Sequence, residues 1–142
     1  MARTYPKHTA AKASGSIPAT LKERRAFLEK ELKKYQGKTF HCKVLGVNVM
    51  ITNKSVEETV ENACISNKAT ELALYLPHII RNAQIIELHL PTESRKQTRT
   101  FHFKDIGVFK CNIQGIGTAK IVIGFRKNGR AIEYSITDYK AQ

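Results

Sequence analysis

The chain has 142 residues, of which 42% are hydrophobic and 25% are charged, and its formal net charge is +12 at pH 7. This length predicts one domain with a core of its own, and the absence of a long apolar run excludes a transmembrane helix. The 3 cysteines have neither metal-binding nor disulfide-framework spacing, so we expect buried, reduced thiols. The positive charge favours a polyanion, nucleic acid above all, over a membrane surface, which usually requires an amphipathic or lipidated anchor.

The first segment differs in composition from the rest of the chain. Residues 1–19 are rich in Ala, Ser, Thr and Lys and lack the hydrophobic core of a secretory signal. We therefore predict a flexible basic tail, a cytoplasmic protein and a single α+β domain over residues 20–142. Positive charge is concentrated early, because residues 1–43 hold 11 Lys and Arg against 3 Glu and so account for +8 of the net +12.

A basic helix is predicted directly after the tail. Thr20 and Glu23 have the spacing of a capping box, apolar residues recur at helical spacing from Leu21 to Tyr35, and Gly37 ends the helix. Its cations are either an ordinary solvated face or an arm that contacts phosphates. The candidate nucleic-acid contacts here are Arg24, Arg25, Lys33 and Lys34.

Two short strands that turn at Gly46 are predicted over residues 40–52, and two helical segments follow them. Ser55 and Glu58 have capping-box spacing at the start of the first of these helices. Pro77 cannot lie deep inside a helix, so we expect a kink or a new helical turn at that residue.

From Gln84 onward the pattern is that of a sheet. Alternating segments are separated by turns rich in Gly and polar residues, and Asn128-Gly129 is a strong signal for a tight hairpin. We predict an α+β fold in which the helices pack on one face of a four- to five-stranded antiparallel β-meander.

Alternation along the predicted strands sorts their side chains onto two faces. The face expected against the helices holds Phe101, Phe103, Phe109, Cys111, Ile113, Ala119, Ile121, Ile123, Phe125, Ile132, Tyr134 and Ile136. The opposite face collects Thr100, His102, Lys104, Lys110, Asn112, Gln114, Thr118, Lys120, Glu133, Ser135 and Thr137. That polar face is either plain solvated surface or a surface that grips or cleaves a phosphate backbone.

Cleavage of a phosphodiester requires a group that titrates near neutral pH and fixed cations for the developing charge. His102 has the first property, and Lys104 and Lys120 have the second, so these three are the candidate catalytic residues. Candidate phosphate contacts on the same face are Lys110, Thr118 and Thr137. No metal-binding spacing, P-loop or pair of acids suited to two metals is present, so we expect no cofactor and no metal.

Several short motifs carry a resemblance: ITNKSVEETVENA, LPHIIRNA, FHFKDIG, GTAKIVIGF and EYSITD. Together they resemble large polyvalent protein-associated domains of phages and conjugative elements with the barnase–EndoU–colicin–RelE-like nuclease fold. The likeness covers residues 47–139. It implies helices packed on a four-stranded antiparallel sheet whose open face is a metal-independent endoribonuclease site, at which a 2′-hydroxyl attacks its own phosphodiester.

The resemblance also implies roles for individual residues. It puts His102 and Lys120 on the working face and Arg81 at the end of the second helix, where Arg81 becomes a further candidate for binding nucleic acid. The helix motif is matched by Ser55, Glu58 and Thr59. The polar face lacks a second histidine or a Glu–His pair, so a lysine with a lowered pKa would have to complete an acid–base couple.

We therefore predict a mobile-element protein that binds nucleic acid, RNA in preference to DNA, and acts in the bacterial cytoplasm or with the virion. Metal-independent cleavage of RNA is the sharper form of this prediction. Binding without cleavage is the second form. The alternative is a protein-binding module, such as an inhibitor of a host enzyme or a virion or accessory component.

Overall fold

A computed structural model describes residues 17–91 and 103–139, with side chains described at all of these except residues 89–91. The predicted tail over residues 1–19 lies outside the described residues except at its last three positions. In chain order the described elements are α1 (Leu21–Lys33), β1 (Thr39–Cys42), β2 (Val47–Met50), α2 (Asn53–Ala63), α3 (Asn67–Ala73), α4 (Leu76–Arg81), β3 (Gln84–Pro91), β4 (Phe103–Ile113), β5 (Gly117–Arg126) and β6 (Ala131–Asp138). None of these helices is long and apolar enough to cross a membrane.

Local signals set the ends of the helices. The side chain of Thr20 accepts a hydrogen bond from the Glu23 amide at 3.2 Å, which confirms the predicted start of α1. A new helix, α4, begins with Pro77 in its first turn, as expected of a residue that lacks an amide proton.

The capping prediction for α2 was wrong in register. Thr52 is the N-cap, its hydroxyl accepts from the Ser55 amide at 3.0 Å, and the Ser55 hydroxyl accepts from the Thr52 amide at 2.9 Å. Ser55 thus occupies the third helical position of the capping box, which Glu or Gln more often fills. Glu58 therefore takes no part in the cap.

The strands form one sheet in the order β1-β2-β6-β5-β4-β3. Strands β3 to β6 are the antiparallel meander that the sequence predicts, but β2 pairs with β6 in parallel. The prediction of four to five strands, all antiparallel, was therefore wrong in strand number and at this pair. Alternation within a strand sorts its faces but does not identify its partner.

The sheet is curled, and the helices pack on its inner face. Near β1, the Lys43 amide donates to the Arg81 carbonyl at 3.3 Å and Lys43 Nζ donates to Asn82 Oδ1 at 3.2 Å, so the first strand meets the end of α4, just before β3. The largest side chains that are fully buried in the described ranges are Leu28, Leu32, Ile51, Leu72, Leu76, Ile79, Ile80, Phe109, Ile113, Ile121 and Ile123. The three cysteines are buried free thiols, as predicted.

A bulge in β6 moves side chains from one face to the other. Ser135 lies opposite Val122, whereas Glu133 lies opposite Ile123, so Tyr134 is an extra residue in β6. Glu133 consequently shares the inner face with Ile123 and is fully buried. The prediction that Glu133 lies on the polar face was wrong, because the extra residue of a bulge reverses the alternation of side chains along the strand.

A second irregularity lies near the start of β4, where Phe103 pairs with Arg126 but Asp105 pairs with Phe125. The ring of Phe103 therefore lies over Gly124 on the outer face, where a Cβ on Gly124 would be 2.1 Å from the ring. Three residues predicted to face the helices instead pack on this outer face with Ile106. This outer apolar cluster consists of Phe103, Ile106, Ile132 and Tyr134.

Candidate nucleic-acid interface

A row of polar side chains crosses four strands on the outer face of the sheet. Thr137 lies opposite Lys120, Lys120 lies opposite Lys110, and Lys110 lies opposite Gln84. Side chains directly opposite each other in a sheet are neighbours, with Cβ atoms about 5 Å apart. The row therefore places two lysines side by side with a threonine and a glutamine, and no carboxylate among them.

A second polar row lies beside the first, toward the end of the sheet. Asn112 Nδ2 donates to Thr118 Oγ1 at 2.9 Å, and the Tyr139 amide donates to the Thr118 carbonyl at 2.9 Å. Lys110 Nζ lies 5.8 Å from the centroid of the Tyr139 ring, within reach of a cation–π contact. We call the two rows together the lysine platform, which consists of Gln84, Lys110, Asn112, Thr118, Lys120, Thr137 and Tyr139.

Part of this platform lines an open pocket of about 420 Å³ to which α3 contributes Lys68. Gly117 lets that side chain approach, because a Cβ at Gly117 would lie 2.5 Å from Lys68 Cε. Lys68 Nζ also lies 3.7 Å from Asp138 Oδ1. A third cation is thereby held at the rim of the platform.

The structure brings together four of the predicted site residues, Lys110, Thr118, Lys120 and Thr137. It separates Lys104 from them. Lys104 is six residues from Lys110 along β4, roughly 20 Å at the rise of a strand.

The predicted central residue, His102, lies outside the described residues, as do Thr100 and Phe101. Its proposed role as an acid or base stays a prediction.

Arg24 in α1 ties that helix to the turn after α2. Its Nε donates to the Cys64 carbonyl at 2.8 Å, and its Nη1 donates to the Ala19 carbonyl at 2.7 Å. The neighbouring Arg25 forms an ion pair of 3.2 Å with Glu61 of α2. Both arginines thus contact the helical layer, on the other side of the sheet from the platform.

The remaining predicted cations, Lys33, Lys34 and Arg81, are not among the residues of the lysine platform. Lys34 pairs with Glu31 at 3.1 Å within one turn, and Lys33 is exposed on α1. The guanidinium of Arg81 lies 5.5 Å from the centroid of the Phe40 ring. That these residues contact nucleic acid stays a prediction.

Three residues at the platform were missed in the sequence. Tyr139 could have been found by extending the alternation of β6 two residues beyond Thr137. Gln84 is the first residue of β3, and only its register against Lys110 reveals its place. Lys68 comes from a helix, and no sequence pattern links it to the sheet.

Glu133 is the most perturbed carboxyl group near the sheet. Thr59 Oγ1 donates to Glu133 Oε2 at 2.6 Å, while Oε1 has no hydrogen-bond partner in the described part of the chain. Burial raises the pKa of Glu133 to about 8, and the hydrogen bond from Thr59 opposes that shift. The carboxyl group is therefore mainly neutral at pH 7 and lies on the inner face, away from the platform.

The chemistry of the platform follows from its side chains. As defined, it offers amines, an amide pair, two aliphatic hydroxyls and a phenol, which are donors suited to phosphate oxygens. It holds no imidazole or carboxylate, so these residues alone can bind an anion and neutralise charge. Across residues 17–91 and 103–139, no group of three or more His, Cys, Asp or Glu side chains could hold a metal ion.

Comparison with known families and proteins finds a match to a family of protein domains. The sequence pattern of large polyvalent protein-associated domain 3 matches residues 19–134, from just before α1 into β6. No curated protein and no solved structure matches the chain. The resemblance drawn from the short motifs is confirmed for the domain family, and the nuclease fold within it stays a prediction. The chain belongs to the large polyvalent protein-associated domain 3 family.

Proposed function

We propose that this chain is a nucleic-acid-binding module of a phage or conjugative element and that it binds RNA through the lysine platform. The observation that carries the proposal is the direct opposition of Lys110 and Lys120 in neighbouring strands. Like charges in such a pair repel each other. A phosphate between them replaces that repulsion with charge-assisted hydrogen bonds.

Other features of the platform support single-stranded RNA as the ligand. Asn112 and Thr118 supply polar groups beside the lysines, and Tyr139 supplies an aromatic ring on which a base can stack. The net charge of +12 attracts a polyanion at long range. The exposed cations at the end of α1, Lys33 and the C-cap Lys34, add to that attraction without determining where the ligand binds.

The test is fluorescence anisotropy of a labelled single-stranded RNA over a salt titration. We expect Lys110→Gln/Lys120→Gln to weaken binding and to reduce the slope of log affinity against log salt by roughly 1.4, since each lost phosphate contact on a single strand removes about 0.7. The control is Lys22→Gln/Lys30→Gln on α1, which removes the same charge from exposed positions. Equal effects of the two double variants would contradict a located site.

Cleavage of RNA is the finer proposal, and it rests on the family resemblance and on the residue types. A base removes the proton of the 2′-hydroxyl, the 2′-oxygen forms a bond to phosphorus, and the 5′-oxygen leaves with a proton from an acid. His102 acts as acid or base, and Lys120 stabilises the charge on the phosphoryl oxygens. The products are a 2′,3′-cyclic phosphate and a 5′-hydroxyl.

Cleavage is tested on labelled single-stranded RNA with excess chelator. We expect cyclic-phosphate products that disappear in His102→Ala and form about 100-fold more slowly in Lys120→Gln. Cleavage by His102→Ala at the wild-type rate would rule out this role for His102. If the RNA stays intact but forms a salt-sensitive complex, the protein binds RNA without cleaving it. Neither cleavage nor a complex would favour the protein-binding alternative, in which the partner is a host or phage protein.

A further inference from the structure

We infer that a second pocket, at the opposite end of β4 and β5 from the platform, holds one unstacked base of a single-stranded nucleic acid together with its adjoining phosphate. This inference rests on the proposed function, because it takes nucleic acid as the ligand. The cationic pocket has a volume of about 330 Å³ and is lined by Leu45, Leu88, Lys104, Asp105, Phe125, Arg126, Lys127 and Gly129.

The wall of the cationic pocket is apolar and comes from distant parts of the chain. Leu45 lies in the turn between β1 and β2, Leu88 in β3 and Phe125 in β5. Since β1 and β3 are the two ends of the strand order, the pocket forms where the curled sheet brings those ends together. All three side chains are partly buried against the main core, so the wall is formed before any ligand arrives.

The charges around this wall are mainly positive. Among the described residues that line the pocket, three are cations, Lys104, Arg126 and Lys127, and one is an acid, Asp105. Lys127 is exposed at the β5–β6 hairpin. An apolar wall with an excess of cations is complementary to a ligand that joins a planar apolar body to an anion.

A nucleotide within a single strand has that construction. Its base can pack on the ring of Phe125 and on the leucines, while its phosphate lies among the cations, as on known stacking surfaces for single strands. A base within a duplex is stacked and paired and cannot enter, so the pocket selects unpaired strands. Lys104 lies roughly 20 Å from the platform along β4. In the cationic pocket it can contact the phosphate without lying near Lys120.

The inference is tested with two probes of about twelve nucleotides, within the site sizes of domains that bind single strands. One is an ordinary single-stranded RNA, and the other has the same backbone with abasic residues throughout. Both carry the same phosphates, so the ratio of their affinities reports contacts to bases. For the wild type we expect the complete strand to bind about tenfold more tightly.

Phe125→Leu keeps the apolar wall and removes the ring. We expect it to lower the affinity for the complete strand several-fold and to leave the abasic probe unchanged, while Lys127→Gln weakens both probes equally. The matched controls are Phe27→Leu, at another partly buried phenylalanine, and Lys38→Gln, at another exposed lysine. Thermal melting of each variant verifies folding, and Lys127→Gln keeps the test valid should Phe125→Leu unfold.

The outcomes separate this inference from the proposed function. If Phe125→Leu and Lys127→Gln bind both probes like the wild type while Lys110→Gln/Lys120→Gln loses binding, the pocket inference is overturned and the platform stands. If the pocket variants lose binding and the platform variant does not, the pocket is supported and the platform proposal fails. A wild type that binds neither probe overturns both.

Discussion

The outer face of the sheet has two halves that differ in how their side chains interact. In one half, the members of the outer apolar cluster pack on one another and are at most 8% exposed. In the other half, the lysine platform places two partly exposed lysines, Lys110 and Lys120, opposite each other. The bulge of β6 lies at the boundary between these two halves. It turns Glu133 toward the inner face and places Tyr134 against Phe103 on the outer face. One face of one sheet thus serves both stability and binding.

At a fixed pH, the largest effect should come from filling the space above Gly124. We expect Gly124→Ala to lower the free energy of unfolding by about 3 kcal/mol, because the new methyl group would collide with the Phe103 ring. Urea denaturation measures the loss. In a Phe103→Ala background the same substitution should cost much less, and an equal cost in both backgrounds would contradict the packing of the outer apolar cluster.

The next effect concerns the bulge. The pKa of Glu133 is about 8 in the folded protein against an ordinary value of 4.5, so the folded state binds the extra proton between these values. Stability from this group is therefore complete below about pH 4.5 and is lost as the pH rises to about 8. We expect the wild type to lose about 4 kcal/mol more than Glu133→Gln between these limits, since each unit of pKa shift is worth about 1.4 kcal/mol. Denaturation at several pH values measures the loss.

Thr59 provides the control for that experiment. Its hydroxyl donates to the Glu133 carboxylate and lowers the pKa, so Thr59→Val should extend the pH-dependent loss of stability to higher pH. Identical pH profiles for the wild type and Glu133→Gln would mean that the carboxyl group is not buried, and that the bulge does not turn it inward.

The smallest effect separates stability from binding in the platform. Lys110→Glu puts opposite charges across from each other, so we expect the unfolding free energy to rise by about 0.5 kcal/mol at low salt and RNA affinity to fall. Denaturation with and without added salt, together with anisotropy, measures both. Lys33→Glu on α1 is the matched control. A less stable Lys110→Glu protein would indicate that Lys110 already makes stabilising contacts.

Much of the local structure could be predicted because the signals are local. The cap at Thr20, the turn at Gly46 and the helix that begins near Pro77 each depend on a few consecutive residues. Five platform residues, Lys110, Asn112, Thr118, Lys120 and Thr137, were assigned to the correct face because the strands that carry them alternate without interruption between the two bulges.

The rest depends on contacts between distant residues. A bulge adds one residue to a strand without a composition signal, and this is why Glu133 and Phe103 were assigned to the wrong faces. The parallel pairing of β2 with β6 and the approach of Lys68 to Gly117 are tertiary events, which alternation in a single sequence does not encode.

The place of β6 in the sheet has a consequence for the order of folding. It comes last in chain order among the described strands, yet it lies in the interior of the sheet and pairs with both β2 and β5. Until a ribosome has released this strand, the hairpin of β1 and β2 has no partner in the sheet and β5 keeps an unpaired edge. The β1–β2 hairpin can therefore join the sheet only after β6 has been synthesised. Because this pairing joins residues that are distant in sequence, it favours slow folding and a period in which the incomplete sheet can aggregate.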